Sequence, residues 1–302
     1  MSSIFKKIYK EPNYSLYLLM KLFARQISDE RFIRWKYRLK MKQPLHLDVP
    51  KTFNEKLQWL KLNDQHQEYS QLVDKYEVKK YVAQIIGEQH IIPTLALYNS
   101  VDEIDFAQLP QRFVLKCTHN SGGIVICKDK EKLDTAKAKK KLIRGLRKNP
   151  FWTNREYPYK NVKPRIIAEQ YMEQGGEESL RDYKVLCFNG KAKLIELHLN
   201  RYTDHHTQDF YDAEWNKTTI SQGGYGATSD IVVPRPDNFD EMIRLSELLT
   251  KDMIHCRADW YSIGDKLYFG ELTFFDGSGL NPFDDPKDDL MLGEWIQLPN
   301  EV

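Results

Sequence analysis

Arg257-Ala258-Asp259-Trp260-Tyr261-Ser262-Ile263-Gly264-Asp265-Lys266-Leu267-Tyr268-Phe269-Gly270-Glu271-Leu272-Thr273-Phe274-Phe275-Asp276-Gly277 is the stretch on which the reading of this 302-residue chain turns. Gly264-Asp265 lies between two runs rich in aromatic and branched residues, the pattern of an antiparallel hairpin. Folding there brings Asp259 and Glu271 side by side on the two arms. Adjacent carboxylates repel unless a cation lies between them, and Mg²⁺ held by one or two carboxylates plus substrate phosphates is the usual arrangement at a nucleotide. Arg257 points to the same strand face as Asp259, where a guanidinium suits a carboxylate or a transferring phosphoryl group. The aromatic surroundings argue against plain surface charges, since carboxylates are rarely buried without a partner.

Two further constellations lie upstream. In Phe113–Ile126 a strand delivers Lys116, Ser121-Gly122-Gly123 forms a turn, and a second strand leaves. Glycines let backbone N–H groups approach an anion, and a cation at the strand end offsets phosphate charge. The GxxxxGK[ST] spacing of a Walker loop is absent. In Arg165–Met172 an apolar strand ends in Glu169, suited to an adenine amine or a ribose hydroxyl, and Asp182 and Lys184 share a face of the next strand.

Working outward, the period predicts helices over 4–42, from Thr52 or Asn54 to Leu62, over 67–86, over 130–148, and over 239–255 behind an Asp237 cap. Strands are expected at 90–93, 112–118, 124–127, 165–172, 182–188, 191–199, 257–262 and 267–274. Asn189-Gly190 marks a second hairpin. A helical start followed by antiparallel strands and helices is an α+β order.

The composition is that of a folded chain, 41% hydrophobic and 29% charged, with a formal net charge of +2. That balance excludes a general polyanion binder, and no nucleic-acid partner is expected. Residues 1–45 nevertheless carry eleven Lys and Arg against three Asp and Glu. No apolar run reaches the ~18 residues of a membrane span, and no secretory signal is read. Cys117, Cys127, Cys187 and Cys256 stand far apart without metal-ligand spacing, which suits reduced thiols and a cytoplasmic location.

The series Lys51–Trp59, Leu72–Lys75, Ile92–Thr94, Phe113–Cys117, Pro164–Glu169, Asp182–Gly190 and Phe269–Thr273, taken in that order, resembles the ATP-grasp superfamily and within it the TupA-like branch of bacterial surface-polysaccharide biosynthesis. The resemblance implies two α+β subdomains clasping ATP after a helical N-terminal segment. The divisions are then 1–65, 66–168 with the lysines and the glycine loop, and 169–302 with the metal site. It also implies that Lys75 and Lys116 contact nucleotide phosphates beneath the Ser121-Gly122-Gly123 loop. Glu169 would hold adenine and ribose, and Lys184 the transferred phosphate. Asp259 and Glu271 would bind one or two Mg²⁺, with Thr273 where the family usually has Asn, so that a second ion leans on Asp276 or Asn281. Arg257 would bind the acceptor carboxylate and Gly277 would donate to the tetrahedral intermediate.

The activity so implied is an ATP-dependent carboxylate–amine ligase working through an acyl phosphate. Its acceptor would be a uronic acid in a capsular glycan or in a lipid-linked or nucleotide precursor, and its amine an amino acid or another amine. A sugar or polysaccharide kinase, or a glycosyltransferase-type enzyme of capsule synthesis, is the alternative. The basic N-terminal helix offers a peripheral contact with the inner face of the membrane. His119 and His198 are read as structural before they are read as bases.

Overall fold

A computed structural model describes residues 20, 22–173, 181–199, 206–223 and 230–299. Residues 4–19 and 21 of the helix expected over 4–42 lie outside the described residues. Where residues 22–42 are described, the expected continuous helix is broken: a turn precedes helix α1 (Asp29–Met41), which opens with Asp29 and Glu30 at its positive end.

Helix α2 (Phe53–Asn63) starts at Thr52, whose side chain accepts from the Glu55 N–H while Glu55 returns the bond to the Thr52 N–H. This capping box settles the start on Thr52 rather than Asn54. The helix expected over 67–86 is two helices, α3 (Tyr69–Val73) and α4 (Val78–Ile86), the second ending at Gly87 with φ +100°. Asp74 makes the break. Its carboxylate accepts from the N–H groups of Tyr76 and Glu77, from Thr118 Oγ1 and from Arg165. Those bonds compete with the helix ladder, as short acidic side chains do.

The first sheet has the order β1-β4-β2-β3, built from β1 (Thr94–Tyr98), β2 (Phe113–Cys117), β3 (Ile124–Cys127) and β4 (Ile166–Gln170), all antiparallel. The strand expected at 90–93 is a 3-10 turn (Glu88–His90) and a connection, and the strand begins only after Pro93. The expected helix over 130–148 is a 3-10 turn at Lys130–Lys132 followed by α5 (Thr135–Leu146), capped by Asp134 and packed on β2 and β3. Helix α6 (Pro150–Asn154) follows it.

The second sheet has the order β7-β6-β5-β8-β9, from β5 (Asp182–Phe188), β6 (Lys191–Leu199), β7 (Thr207–Asp212), β8 (His255–Ile263) and β9 (Lys266–Thr273), again antiparallel. Asn189 and Gly190, both at positive φ, join β5 to β6 in a two-residue turn. Helix α7 (Phe239–Thr250) follows Asn238, and the Asp237 cap does not form. The helix stops five residues before His255, which starts β8 and pairs with Phe188. Helix α8 (Pro286–Trp295) packs on α2.

Strict alternation divides the second sheet. Val185, Ile195, Leu197, Ala258 and Trp260 form one face and join Phe239, Met242, Leu245 and Leu249 of α7 and Val78 and Val82 of α4 in the main core. Asp182, Lys184, Glu196, His198, Arg257, Asp259 and Glu271 occupy alternate positions of the same strands and so form the other. A bulge between Asp259 and Trp260 keeps both patterns in phase. Gly270 permits it, because a Cβ there would come within 3.1 Å of the Asp259 carbonyl. The first sheet has its own core, with Phe113, Leu115, Ile166 and Ala168 against Leu142 of α5.

Candidate active site

A cleft of about 760 Å³ lies between the sheets, walled by Ile92, Val114, Lys116, Ile124, Ile126 and Glu169 on one side and by Asp182, His198 and Tyr261 on the other. Mostly apolar walls with a few convergent charges are the ordinary form of a small-molecule site. On the first wall Glu169 is buried between two lysines, 2.7 Å from Lys116 Nζ and 2.5 Å from Lys79 Nζ. Burial pushes its pKa up, and the two ammonium groups outweigh that and hold it below the usual carboxylate range. Lys79 also donates to Ile92 O and Thr94 Oγ1, 2.8 Å each. The sequence expectation names Lys75; the lysine that pairs with Glu169 beside Lys116 is Lys79, four residues further on.

Lys75 lies elsewhere. The break at Asp74 ties its N–H to Thr118 O and sends its ammonium to Glu271 Oε2 at 2.6 Å, so it bridges the two sheets. Of the loop residues, Ser121 and Gly122 stand exposed, and Gly123 is packed. A Cβ on Gly123 would come within 2.3 Å of Cys117 Sγ, and Asn120 Oδ1 accepts from both glycine N–H groups. Gly123 is therefore required by packing of the loop on α5. His119 is buried in the same turn, and burial lowers its pKa.

On the second wall the register sets Asp259 opposite Glu271 and Arg257 opposite Thr273. Arg257 grips Asp259 with two parallel bonds of 2.7 and 2.8 Å, donates to Asp276, and lies 3.4 Å from Thr273 Oγ1. Lys184 donates to Asp259 Oδ2 at 3.2 Å and stands 3.6 Å from Asp182. Glu196, which sequence reasoning also missed, faces Lys184 in register, and its Oε2 lies 3.6 Å from Arg257. Its position was legible as the partner of His198 in an alternating strand.

Burial raises the pKa of Glu271, but Lys75 first and Arg257 second overcome it and hold the carboxylate low. Asp276 goes the other way, raised by burial and by the charge of Glu196. Among the described residues this face sets five carboxylates, Asp182, Glu196, Asp259, Glu271 and Asp276, against Lys75, Lys184 and Arg257. The surplus of two negative charges fits a divalent cation. Asp259 and Glu271 are hard oxygen donors suited to Mg²⁺. Among the described residues no group of three or more His, Cys, Asp or Glu side chains is gathered to hold a metal without further ligands, and at a nucleotide phosphate oxygens and water complete the shell.

Gly277 stands in the turn after β9 at φ +50°, where a Cβ would come within 2.4 Å of Asn281 Nδ2. That turn is held from below by α2. Gln58 donates to the carbonyls of Ser278 and Gly279, and Lys61 to the carbonyl and hydroxyl of Ser278. Asn54 donates to Asp289 and to Asn281 O. Lys61 is only 1% exposed, and burial depresses its pKa to about 7. The phrase Lys51–Trp59 is thus the start of a buried polar platform beneath the site.

The profile of the TupA-like ATP-grasp family matches residues 55–297. Among curated proteins nothing matches the chain. Among solved structures it is similar to a D-alanine–D-alanine ligase from Bacillus anthracis complexed with ATP (16% identity, TM-score 0.39, 67% of this chain and 55% of that one). It is also similar to an L-amino acid ligase from Bacillus licheniformis (12%, 0.44, 84% and 57%). A third is the ADP complex of the purK N5-carboxyaminoimidazole ribonucleotide synthetase (12%, 0.44, 82% and 57%). The chain spans little more than half the length of these proteins. With a family match over most of its length, on a chain with two antiparallel sheets flanking one cleft, the chain belongs to the TupA-like ATP-grasp family.

Proposed function

We propose that the chain is an ATP-dependent carboxylate–amine ligase that activates a carboxylate as an acyl phosphate and joins it to an amine. The observation that carries this reading is the charged face of the second sheet: Arg257, clamped by Asp259 and Asp276 beside the Asp259–Glu271 pair, on the face whose Asp182 and His198 line the cleft opposite Lys116 and Glu169.

ATP lies in the cleft with its base against the apolar wall and near Gln170, Tyr171 and Met172. Lys116, Lys79 and Lys75 offset phosphate charge, with Ser121, Gly122 and Gly123 as the loop above and Glu169 orienting the lysines and the nucleoside. Arg257 orients the acceptor carboxylate, whose oxygen attacks the γ-phosphorus as ADP departs. Lys184 neutralises the transferred group, and Gly277 N–H serves the oxyanion formed when the amine adds. Asp259 and Glu271, with Thr273 beside them, would hold Mg²⁺, which supplies charge neutralisation at the phosphates. Catalysis of this kind is positioning and electrostatics.

The acceptor we favour is a uronic acid of a capsular glycan or of its lipid-linked or nucleotide precursor, and the amine an amino acid, in keeping with the TupA-like sequence features. A cytoplasmic enzyme with peripheral contact at the inner membrane face suits that acceptor. Arg31, Trp35, Arg38 and Lys42 form one exposed stripe on α1 and its C-cap, without an acidic residue among them. Such a stripe suits an anionic lipid surface. No described helix is long and apolar enough to cross a membrane.

The test is ADP and phosphate release from Mg²⁺-ATP with a glucuronate-containing oligosaccharide across a panel of amino acids. Release that needs both acceptor and amine, with a product mass equal to their sum less water, is expected. A phosphorylated glycan formed without amine would replace the ligase by the kinase.

A further inference from the structure

Helix α5 carries a charged face that the ligase chemistry leaves unused. Lys137, Lys140, Lys141, Arg144, Arg147 and Lys148 are all exposed, and no Asp or Glu falls between Thr135 and Lys148. Lys137, Lys141 and Arg144 recur at the three- and four-residue spacing that aligns side chains along one face, a cation for each turn of about 5.4 Å. Ala138, Leu142 and Gly145 take the other side, buried where the helix packs on β2 and β3. Among the described residues none of the six cations meets a carboxylate. Like charges at this spacing repel, and Lys137, in the first turn, also meets the positive end of the helix dipole. The row therefore destabilises the free helix, and an anion bound from outside relieves it.

The charged face runs to the glycine loop. A Cβ on Gly145 would come within 2.9 Å of Gly123 Cα, and Asn120 Nδ2 donates to Gly145 O at 2.8 Å. Lys148 Nζ lies 3.4 Å from where a Cβ on Gly122 would stand. The loop joins β2 to β3 just past the pair Lys116 and Ile124, and both of these line the cleft. We infer that α5 is a binding track for a polyanionic glycan chain, so that the acceptor is a carboxylate carried on a polymer rather than a free sugar or a nucleotide precursor. The inference rests on the ligase reading above and names its acceptor. A polymer with carboxylates on successive repeats meets a row of cations at several points at once, and exposed ion pairs that are weak singly then act together. A lipid surface suits α1 instead, where Trp35 stands exposed among the basic residues; α5 exposes no large apolar side chain. Single-stranded nucleic acid is held by stacking on aromatic rings, and Thr135–Lys148 contains none.

The test is titration calorimetry of the full chain with hyaluronan, a glucuronate-containing polymer, beside free glucuronate, carboxyl-reduced hyaluronan and phosphatidylglycerol vesicles. The triple variant Lys137→Gln/Lys141→Gln/Arg144→Gln keeps good helix formers at exposed positions. At low salt the unmodified chain is expected to bind hyaluronan about 10-fold more tightly than either free glucuronate or the carboxyl-reduced polymer. The variant should lose most of that advantage, and the two proteins should converge near 1 M salt, where the screening length is about 3 Å. With Mg²⁺-ATP and an amino acid, the KM of the variant for hyaluronan should rise by the same factor. Equal affinity of the unmodified chain for polymer and free glucuronate would overturn the inference, as would equal affinity of the two proteins for hyaluronan. Vesicles bound through the same three residues more tightly than hyaluronan would also overturn it, in favour of a membrane. Amine-dependent ADP release with free glucuronate would in each of these cases leave the ligase in place. Absence of such release with every acceptor would overturn the ligase reading, and the assignment of its acceptor with it.

Discussion

The two walls of the cleft carry opposite charge for one purpose. On the first sheet two lysines surround a single carboxylate, Glu169, and the surplus is positive. On the second, five carboxylates surround two lysines and an arginine, and the surplus is negative. A phosphate chain suits the first wall, and a divalent cation followed by an acceptor suits the second. Each wall keeps counterions for most of its own charges, because unpaired buried charges would not be tolerated. Lys75 links them: its backbone N–H bonds Thr118 O, just past the end of β2, and its ammonium meets Glu271 on β9.

The largest effect is expected when the second wall loses Glu271, its proposed metal carboxylate. Glu271→Gln should lower acceptor-dependent ADP release about 1,000-fold, as removal of a main electrostatic group does, while circular dichroism stays native. Turnover near the unmodified rate would refute the assignment of that wall. On the first wall, Glu169→Gln leaves Lys79 and Lys116 facing each other without a counterion. A loss of about 3 kcal/mol in denaturant unfolding is expected. Mg²⁺-ATP should restore much of it, because phosphates replace the carboxylate. A loss that ATP leaves untouched would show that Glu169 is only structural.

Lys79→Met and Lys116→Met should each raise the KM for ATP by about 10- to 100-fold, the worth of one charge-assisted bond. Lys75→Met should instead act mainly on kcat, through Glu271, and steady-state kinetics of the three variants separates the walls. The smallest effect concerns the platform beneath the second wall. The folded pKa of Lys61 is about 7, below the ordinary lysine value, so the unfolded chain binds more protons between those limits. The penalty is full below pH 7 and is relieved as pH rises. Relative to Lys61→Met, the unmodified chain should gain about 1 kcal/mol per pH unit between pH 7 and 9. A flat difference in parallel urea titrations would contradict this.

Local rules located the parts whose geometry is local. Asn189-Gly190 and Gly264-Asp265 are turns because glycine accepts positive φ, and from the second turn alone Asp259 lands opposite Glu271. Local pattern does not separate Lys75 from Lys79, because both fall in the one helical stretch expected over 67–86. Asp74, by taking backbone and side-chain bonds from Tyr76, Glu77, Thr118 and Arg165, breaks the helix and sends the two ammonium groups to different walls. Gly123 reads as a phosphate glycine but is required by Cys117 and Gly145 against it. The strand Thr94–Tyr98 was hidden because Pro93 drew the expected strand to its N-terminal side, and it exists through pairing with β4.

Short-range pattern is enough for the α+β order, the two hairpins, the alternation that puts charges on one sheet face, and the family. Each of these depends on neighbours a few residues apart or on a series of short phrases in order. Which lysine meets which carboxylate, the contacts of Glu196 with His198 and Arg257, and the support of the Ser278 turn by Gln58 and Lys61 emerge only when the chain is folded. These pairs are joined by burial across long separations, where the cost of an unpaired charge selects the partner and local propensity is silent.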